Sequence, residues 1–447
     1  MSKPLCILSG PVFNRSGYGD WATDVAKSLI RYDKYDLRIA PQKWGVCQSN
    51  RFLQDLTDPE DIAVRNHLMT SNKLEKQPDI YIGMSIPNEF LTPAKFNIGM
   101  TAGIETTVCS GEFLEGINKV DLTIALSNHV KKVFQDTKMI KKHQDGRQEE
   151  LKLIKPVEVC FWGANTNIFK KTDEKVESIE NTLSKIKEEF AFLFVGQWTH
   201  QDIYNDRKDI GNLVKTFCKT FLNFGENKRP CLILKTAGPN YSVTDRYQML
   251  KNIRTIRKEF GENCPNVYLL HGELNNVEMN ALFNHEKIKC HVSFTHGEGF
   301  GHPLLLQTLS GKPLLVSDWS GHLDFMNPEF SQLLPGSLVN VPKKSTNKWI
   351  LKESQWFNVS YNTAENKLNK MFHKALDEKI LNKSESLRKE NEEKFNLNKM
   401  DERLWSILDQ YVPKFAVENK FVLPKLKSVE NTNTQQPTLK LPKLKSL

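Results

Sequence analysis

Short apolar runs alternate with helical patterns along this chain in two successive series, which divide near residue 165. Residues 5–9 read as a buried strand. A glycine-containing loop follows, then a helix in which Trp21, Ala22, Val25, Ala26, Leu29 and Ile30 recur at helical spacing. Further strands are predicted at 36–40, 79–84, 96–102, 121–126 and 157–161. Ser127 or Asn128 is placed to cap a helix carrying Val130, Val133 and Phe134. After a charged segment at 170–189, the second series predicts strands at 190–195, 231–235, 267–270, 289–294 and 313–317. Helices are expected between them at 210–222, 245–260 and 277–284, with a short one from Pro303. Strand–helix alternation implies parallel sheets covered by helices on both faces. Two series imply an α/β chain of two doubly wound, Rossmann-like domains. Ligands of such sheets lie beyond the carboxyl ends of the strands, so the cleft between the domains is the expected site.

The domain boundaries follow: 1–165, 166–395, a helix within 396–415 packing back on the first domain, and a tail at 416–447. Residues 363–395 read as strongly helical and charged, and 400–411 as a last helix with Leu404, Trp405, Leu408 and Tyr411 as its apolar stripe. The tail loses the core-forming pattern and is expected to be disordered. Residues 423–429 and 441–447 are near-identical copies of Leu-Pro-Lys-Leu-Lys-Ser, separated by a polar linker. The copies suit a peptide that docks a protein partner, a weak polyanion-binding arm, or a simple disordered extension.

The net charge of +9 favours a polyanionic partner, and a basic solvated surface explains it equally well. The eight cysteines are scattered without close pairs, which suggests neither a zinc site nor a disulfide framework. No signal peptide and no apolar stretch of spanning length is apparent, so a soluble, cytoplasmic protein without membrane attachment is expected. The sequon Asn14-Arg15-Ser16 then has no meaning.

The strand at 289–294 runs into Thr295-His296-Gly297-Glu298-Gly299-Phe300-Gly301-His302-Pro303, then a helix and Gly311-Lys312-Pro313. Three glycines in five positions let backbone amides approach a ligand, and Pro303 suits a first helical turn. Amides at a helix start suit a diphosphate. Glu298 stands where it can accept hydrogen bonds from sugar hydroxyls. A tight strand-to-helix turn with a solvated glutamate explains the loop alone equally well.

This segment resembles the signature of the family 4 retaining glycosyltransferases of the GT-B fold: Glu-Gly-Phe-Gly-x-Pro, a second Glu eight positions after the first, then Gly-x-Pro and a strand. The resemblance spans roughly residues 5–411, and the overall pattern is most similar to members encoded by large tailed bacteriophages. It implies a nucleotide-sugar donor and metal-independent transfer without a cofactor. The second Glu of the signature, which holds the ribose, is replaced here by Leu306, leaving the ribose to Gln307 or a neighbouring group. The family's phosphate-binding Arg falls at Gln197 and its Lys at Lys208, with Arg207 supplying positive charge. The first-strand loop of the family matches Gly17 and Gly19. Glu105 is the polar residue nearest the position where many members carry a histidine by the transferred sugar. His296, Gly299, Phe300 and Gly301 complete the donor-binding set, and Glu298 and Glu105 are the candidate catalytic residues. Trp319–Phe325 corresponds to a stretch that lines the cleft in related sequences, although a buried Trp and Phe equally suit a core.

The acceptor stays open. A hydroxymethylated base in DNA and a saccharide, lipid-linked or protein acceptor are the alternatives. A non-catalytic nucleotide-sugar-binding adaptor is the alternative of another class.

Overall fold

The computed structural model describes residues 3–415 except 46, 48–50, 53–55, 72, 200–201, 226–227 and 239–240. The duplicated tail motif lies outside the described residues.

The first lobe carries β1 (Leu5–Gly10), α1 (Gly17–Tyr32), β2 (Asp36–Pro41), α2 (Pro59–Asn66), β3 (Ile80–Met84), β4 (Phe96–Thr101), α3 (Gly111–Lys119), β5 (Leu122–Ala125) and α4 (Asn128–Asp136). A hairpin, β6 (Met139–Lys142) and β7 (Gln148–Leu151), precedes β8 (Val157–Val159). The sheet is parallel in the order β2-β1-β3-β4-β5-β8. Every residue of β1 and β3 is buried, as expected for interior strands of a sheet covered on both faces. The Ser16 hydroxyl caps α1 by accepting from the Gly19 amide at 3.2 Å. Trp21, Ala22, Val25, Ala26 and Leu29 of α1 are buried.

The second lobe repeats the plan with α5 (Glu177–Leu183), β9 (Ala191–Val195), α6 (Ile210–Phe221), β10 (Cys231–Lys235), α7 (Val243–Lys258), β11 (Val267–Leu270), α8 (Asn276–Asn284), β12 (Ile288–Ser293), α9 (His302–Thr308), β13 (Leu314–Ser317) and β14 (Gln332–Leu334). Its parallel sheet has the order β11-β10-β9-β12-β13-β14. Phe192, Phe194, Phe217 and Phe221 fill the core between sheet and helices. An antiparallel hairpin, β15 (Gly336–Asn340) and β16 (Gln355–Val359), leads to α10 (Tyr361–Lys374), α11 (Glu378–Lys394) and α12 (Leu397–Tyr411).

The chain crosses between lobes twice, and the crossings are joined: the Ala164 amide donates to Phe395 at 2.7 Å and the Leu397 amide to Ala164 at 3.0 Å. Helix α12 lies on the first lobe. There Arg31 meets Asp401 at 2.5 Å, Arg403 meets Glu158 at 2.8 Å, and Trp405 stacks on Tyr32 at 4.8 Å.

Residues 363–395 are helical as expected, in two helices divided where Asp377 takes an extended conformation ahead of α11. The strand predicted at 157–161 stops at Val159, and Trp162 then turns its indole onto Asp24 at 2.8 Å. Both hairpins went unpredicted, and the charged 170–189 segment contains α5. Among the described residues, no helix is long and apolar enough to cross a membrane.

Candidate functional site

In each sheet the order reverses beside the lobe's first strand, between β1 and β3 and between β9 and β12. Such switch points open a crevice at the carboxyl ends of the strands. The loop leaving β12 carries residues 295–301, and the first turn of α1, which follows β1, carries Gly17 and Gly19, so each glycine-rich segment lies beyond the carboxyl end of a strand at its own switch point.

The loop after β12 is held by backbone geometry. Gly301 has φ +86°, a left-handed conformation that begins α9 and favours glycine. The Glu298 amide donates to the Ser320 hydroxyl at 2.9 Å, and the Glu298 carbonyl accepts from the Gly321 amide at 2.9 Å. Ser320 itself sits at φ 89°, ψ −163°, a region nearly confined to glycine. A strained residue therefore fixes the backbone of the candidate catalytic glutamate.

Four side chains predicted for the site converge. Glu298 forms an ion pair with Lys208, and its other carboxylate oxygen lies 3.7 Å from Arg207. Arg207 also reaches Glu105 of the first lobe at 3.2 Å and donates to the Gly297 carbonyl at 2.9 Å. The cations are presented by a built turn. The buried Asp206 carboxylate accepts from the Lys208 amide at 2.9 Å and the Ile210 amide at 3.1 Å. Asp209, at φ 54°, begins α6 and accepts from the Tyr361 hydroxyl at 2.7 Å.

The electrostatics follow from burial and pairing. Burial alone raises the Glu298 pKa, but Lys208 and Arg207 outweigh it and hold the carboxyl down to about 2. Burial lowers Lys208, against the pull of Glu298. Arg207 is raised because Glu105 and Glu298 overcome its burial. The site thus holds two cations and two carboxylates. One carboxylate is almost fully enclosed, with Glu298 6% exposed. Both cations are already paired with carboxylates, so any anion that enters has to displace Glu298 or Glu105 from them.

The lobes meet at this loop. The Ser127 hydroxyl caps α4 through the Val130 amide at 3.2 Å and donates to the Gly299 carbonyl at 2.5 Å. A side chain at Gly299 has no space beside the Ala102 carbonyl, nor one at Gly297 beside the Glu105 carbonyl. The Asn128 amide donates to Asp324 at 2.9 Å, and Thr107 and Gln355 exchange two hydrogen bonds of 2.9 Å. His302, first residue of α9, stacks on Trp162 of the interlobe crossing at 3.5 Å.

The remaining predicted residues fall in different settings. The Gly19 amide is engaged by Ser16, and Gly17 is open. Gln197 is exposed just beyond β9. His296 is buried, stacked on Trp356 at 4.1 Å with Nδ1 2.7 Å from the Phe357 carbonyl, and burial lowers its pKa to about 4. Phe300 is buried against Phe325. Gln307 is 1% exposed, and neither of its side-chain polar atoms has a partner among the described residues. Leu306 is half-buried.

Ser320 and Gly321 belong to the 319–325 stretch expected to line the cleft, and they fix Glu298, a task the sequence did not indicate. One contributor had no counterpart in the sequence reading. His129 on α4 approaches Trp319 edge-on at 4.7 Å from the other lobe. Burial lowers its pKa to about 4, and its Nε2 has no partner among the described residues. Nothing local in the sequence marks it, because the contact joins residues 190 positions apart.

No protein-family model matches the chain, and no curated protein matches it. Solved structures do. A glycosyltransferase from Rickettsia africae is 13% identical with a TM-score of 0.59, over 93% of this chain and 100% of that one. Sucrose-phosphate synthase from Thermosynechococcus elongatus is 10% identical with a TM-score of 0.58, over 91% and 98%. HepE from Anabaena, solved in complex with UDP and glucose, is 11% identical with a TM-score of 0.56, over 91% and 100%. With its two facing parallel six-stranded sheets, the chain has the GT-B fold of these structures.

Proposed function

We propose that the protein is a retaining glycosyltransferase of the family 4 type, which moves a sugar from a nucleotide-sugar donor to an acceptor hydroxyl in the cytoplasm. The observation that carries this reading is the Glu298–Lys208–Arg207–Glu105 constellation, assembled from both lobes at the switch point of the second sheet. The structural likeness to HepE, solved with UDP and glucose, supports the donor class. On this reading Lys208 and Arg207 take the donor diphosphate and neutralise the charge that develops as it leaves, without a metal. Glu298 then exchanges its cations for sugar hydroxyls. The acceptor hydroxyl attacks on the face the leaving group departs from. A donor phosphate oxygen takes its proton, the bond from the sugar carbon to phosphate oxygen breaks, and the new glycosidic bond keeps the configuration. Positioning and charge stabilisation are the protein's contribution.

The acceptor we favour is a hydroxymethylated base in DNA, on the charge of the chain and the phage-like pattern of its sequence. Mass spectrometry of DNA and surface glycans from cells with and without the gene tests this. A hexose or pentose on DNA bases is the expected result, and sugar on glycans alone overturns it. Glu298→Ala must abolish nucleotide release from the donor while the melting temperature stays within a few degrees. Unchanged turnover in that variant overturns the enzymatic assignment and leaves the adaptor reading.

A further inference from the structure

We propose that a basic face built from both lobes around α3 is the track for the phosphodiester backbone of a nucleic acid, an inference that rests on DNA as the acceptor. Two hairpins that the sheets do not require meet there. The β6–β7 hairpin covers the start of α3, with Met139 and Leu151 against Gly111. The β15–β16 connection reaches the same helix from the second lobe, where Trp349 packs on Phe113 at 5.0 Å. Glu112 and Glu115, one turn apart on α3, mark how near the hairpins come: Lys348 pairs with the first at 2.9 Å and Lys141 with the second at 2.6 Å.

The charge is concentrated here. Residues 111–119, 138–155 and 341–354 hold eleven Lys and Arg against six Asp and Glu, a surplus of five. Residues 1–415 as a whole carry a surplus of five, so the rest of the body is close to neutral. The cations are presented outward, with the Lys348 and Lys352 side chains 62% and 82% exposed. The face also leads to the site. The Ser345 hydroxyl donates to the Asn205 carbonyl at 2.8 Å, three residues before Lys208. Gln355 is bonded to Thr107, two residues from Glu105. A polymer lying over α3 therefore passes the mouth of the cleft. An anionic bilayer fits less well: Ile140 and Ile154 are isolated exposed apolar residues, not the continuous apolar face that surface insertion uses.

The test is fluorescence anisotropy of the full chain with an unmodified DNA duplex of about 20 base pairs, over roughly 50 to 300 mM salt. The variant carries Lys141→Gln, Lys142→Gln, Lys348→Gln and Lys352→Gln, none of them in the donor site. We expect duplex affinity to fall at least about tenfold. The slope of log affinity against log salt should flatten by about 3 to 4, because each lysine removed leaves one phosphate with its counterions. Donor hydrolysis without DNA and the melting temperature should stay at wild-type values; if the melting temperature falls, the pairs Lys141→Gln with Lys142→Gln and Lys348→Gln with Lys352→Gln are read separately. Wild-type affinity and slope in folded variants overturn the proposal. So does a wild-type protein that binds phosphatidylglycerol vesicles but no duplex. Duplex binding through these lysines with no sugar on hydroxymethylated DNA removes the acceptor reading and leaves the surface. Undiminished transfer to that DNA by the quadruple variant removes the surface and leaves the acceptor.

Discussion

Replacing Glu298 with glutamine separates the two tasks assigned to this site. The side chain keeps its shape and its capacity to hydrogen-bond, and loses one negative charge. At the observed 3.7 Å from Arg207, that charge is worth about 4–5 kcal/mol of gross attraction at an effective dielectric near 20. Lys208 lies closer still. Most of this is offset: Glu105 stays 3.2 Å from the same guanidinium, and both cations are partly exposed to solvent. If about a third survives, the freed cations bind a nucleoside diphosphate tighter by about 1.4 kcal/mol, a factor of about ten. Titration calorimetry with UDP reads this directly, with uridine as the control that should not change. Turnover with a sugar donor should fall by at least about a hundredfold, since the group that orients the sugar is weakened. Wild-type protein should not reproduce the gain on mild acidification, because Glu298 stays ionised down to about pH 2. Glu298→Gln binding UDP no more tightly than wild type refutes the assignment of Lys208 and Arg207 to the diphosphate.

Lys208→Met leaves Glu298 enclosed with only the more distant Arg207, which should cost about 2 kcal/mol of stability at neutral pH in denaturant titrations. The folded-state pKa of Glu298 is depressed, so its contribution is full above about 4.5 and is lost as pH falls through about 2. The gap between wild type and variant should therefore close over that window and stay constant above it. Leu306→Glu, on the half-buried side of α9, should restore an acceptor for ribose hydroxyls and lower KM for the donor by about fivefold to tenfold with little change in kcat; an unchanged KM shows that ribose lies elsewhere.

The sheets were legible because their strands are uninterrupted apolar runs of four to six residues, as in Leu5–Gly10 and Ala191–Val195, separated by amphipathic helices. The two hairpins were not: β6 and β7 are almost wholly exposed, so no buried face imposes a period on Met139–Lys142 or Gln148–Leu151. At the site, Glu298 was readable from the signature, and Lys208, Arg207 and Glu105 from other segments that resemble the family; the four are found together. Contacts made by residues outside those segments were not readable. Ser127 was legible as a helix cap, yet its hydroxyl also binds Gly299, 172 positions away, and only the fold specifies that second bond. His296, placed in the donor set by its position beside the signature, is buried and stacks on Trp356, a contact that only the fold specifies.

The glycines of the 297–301 loop also bear on how such a chain can change. Gly297 and Gly299 have no space for a side chain because carbonyls of Glu105 and Ala102 press against them. The two lobes are therefore not exchangeable parts. A chimera that takes its second lobe from another GT-B protein has to bring that protein's equivalent of residues 102–105 with it, or the loop meets a surface it was not shaped for. Substitutions in the first lobe are accordingly best placed away from that contact strip, where they leave the packing of the 297–301 loop undisturbed.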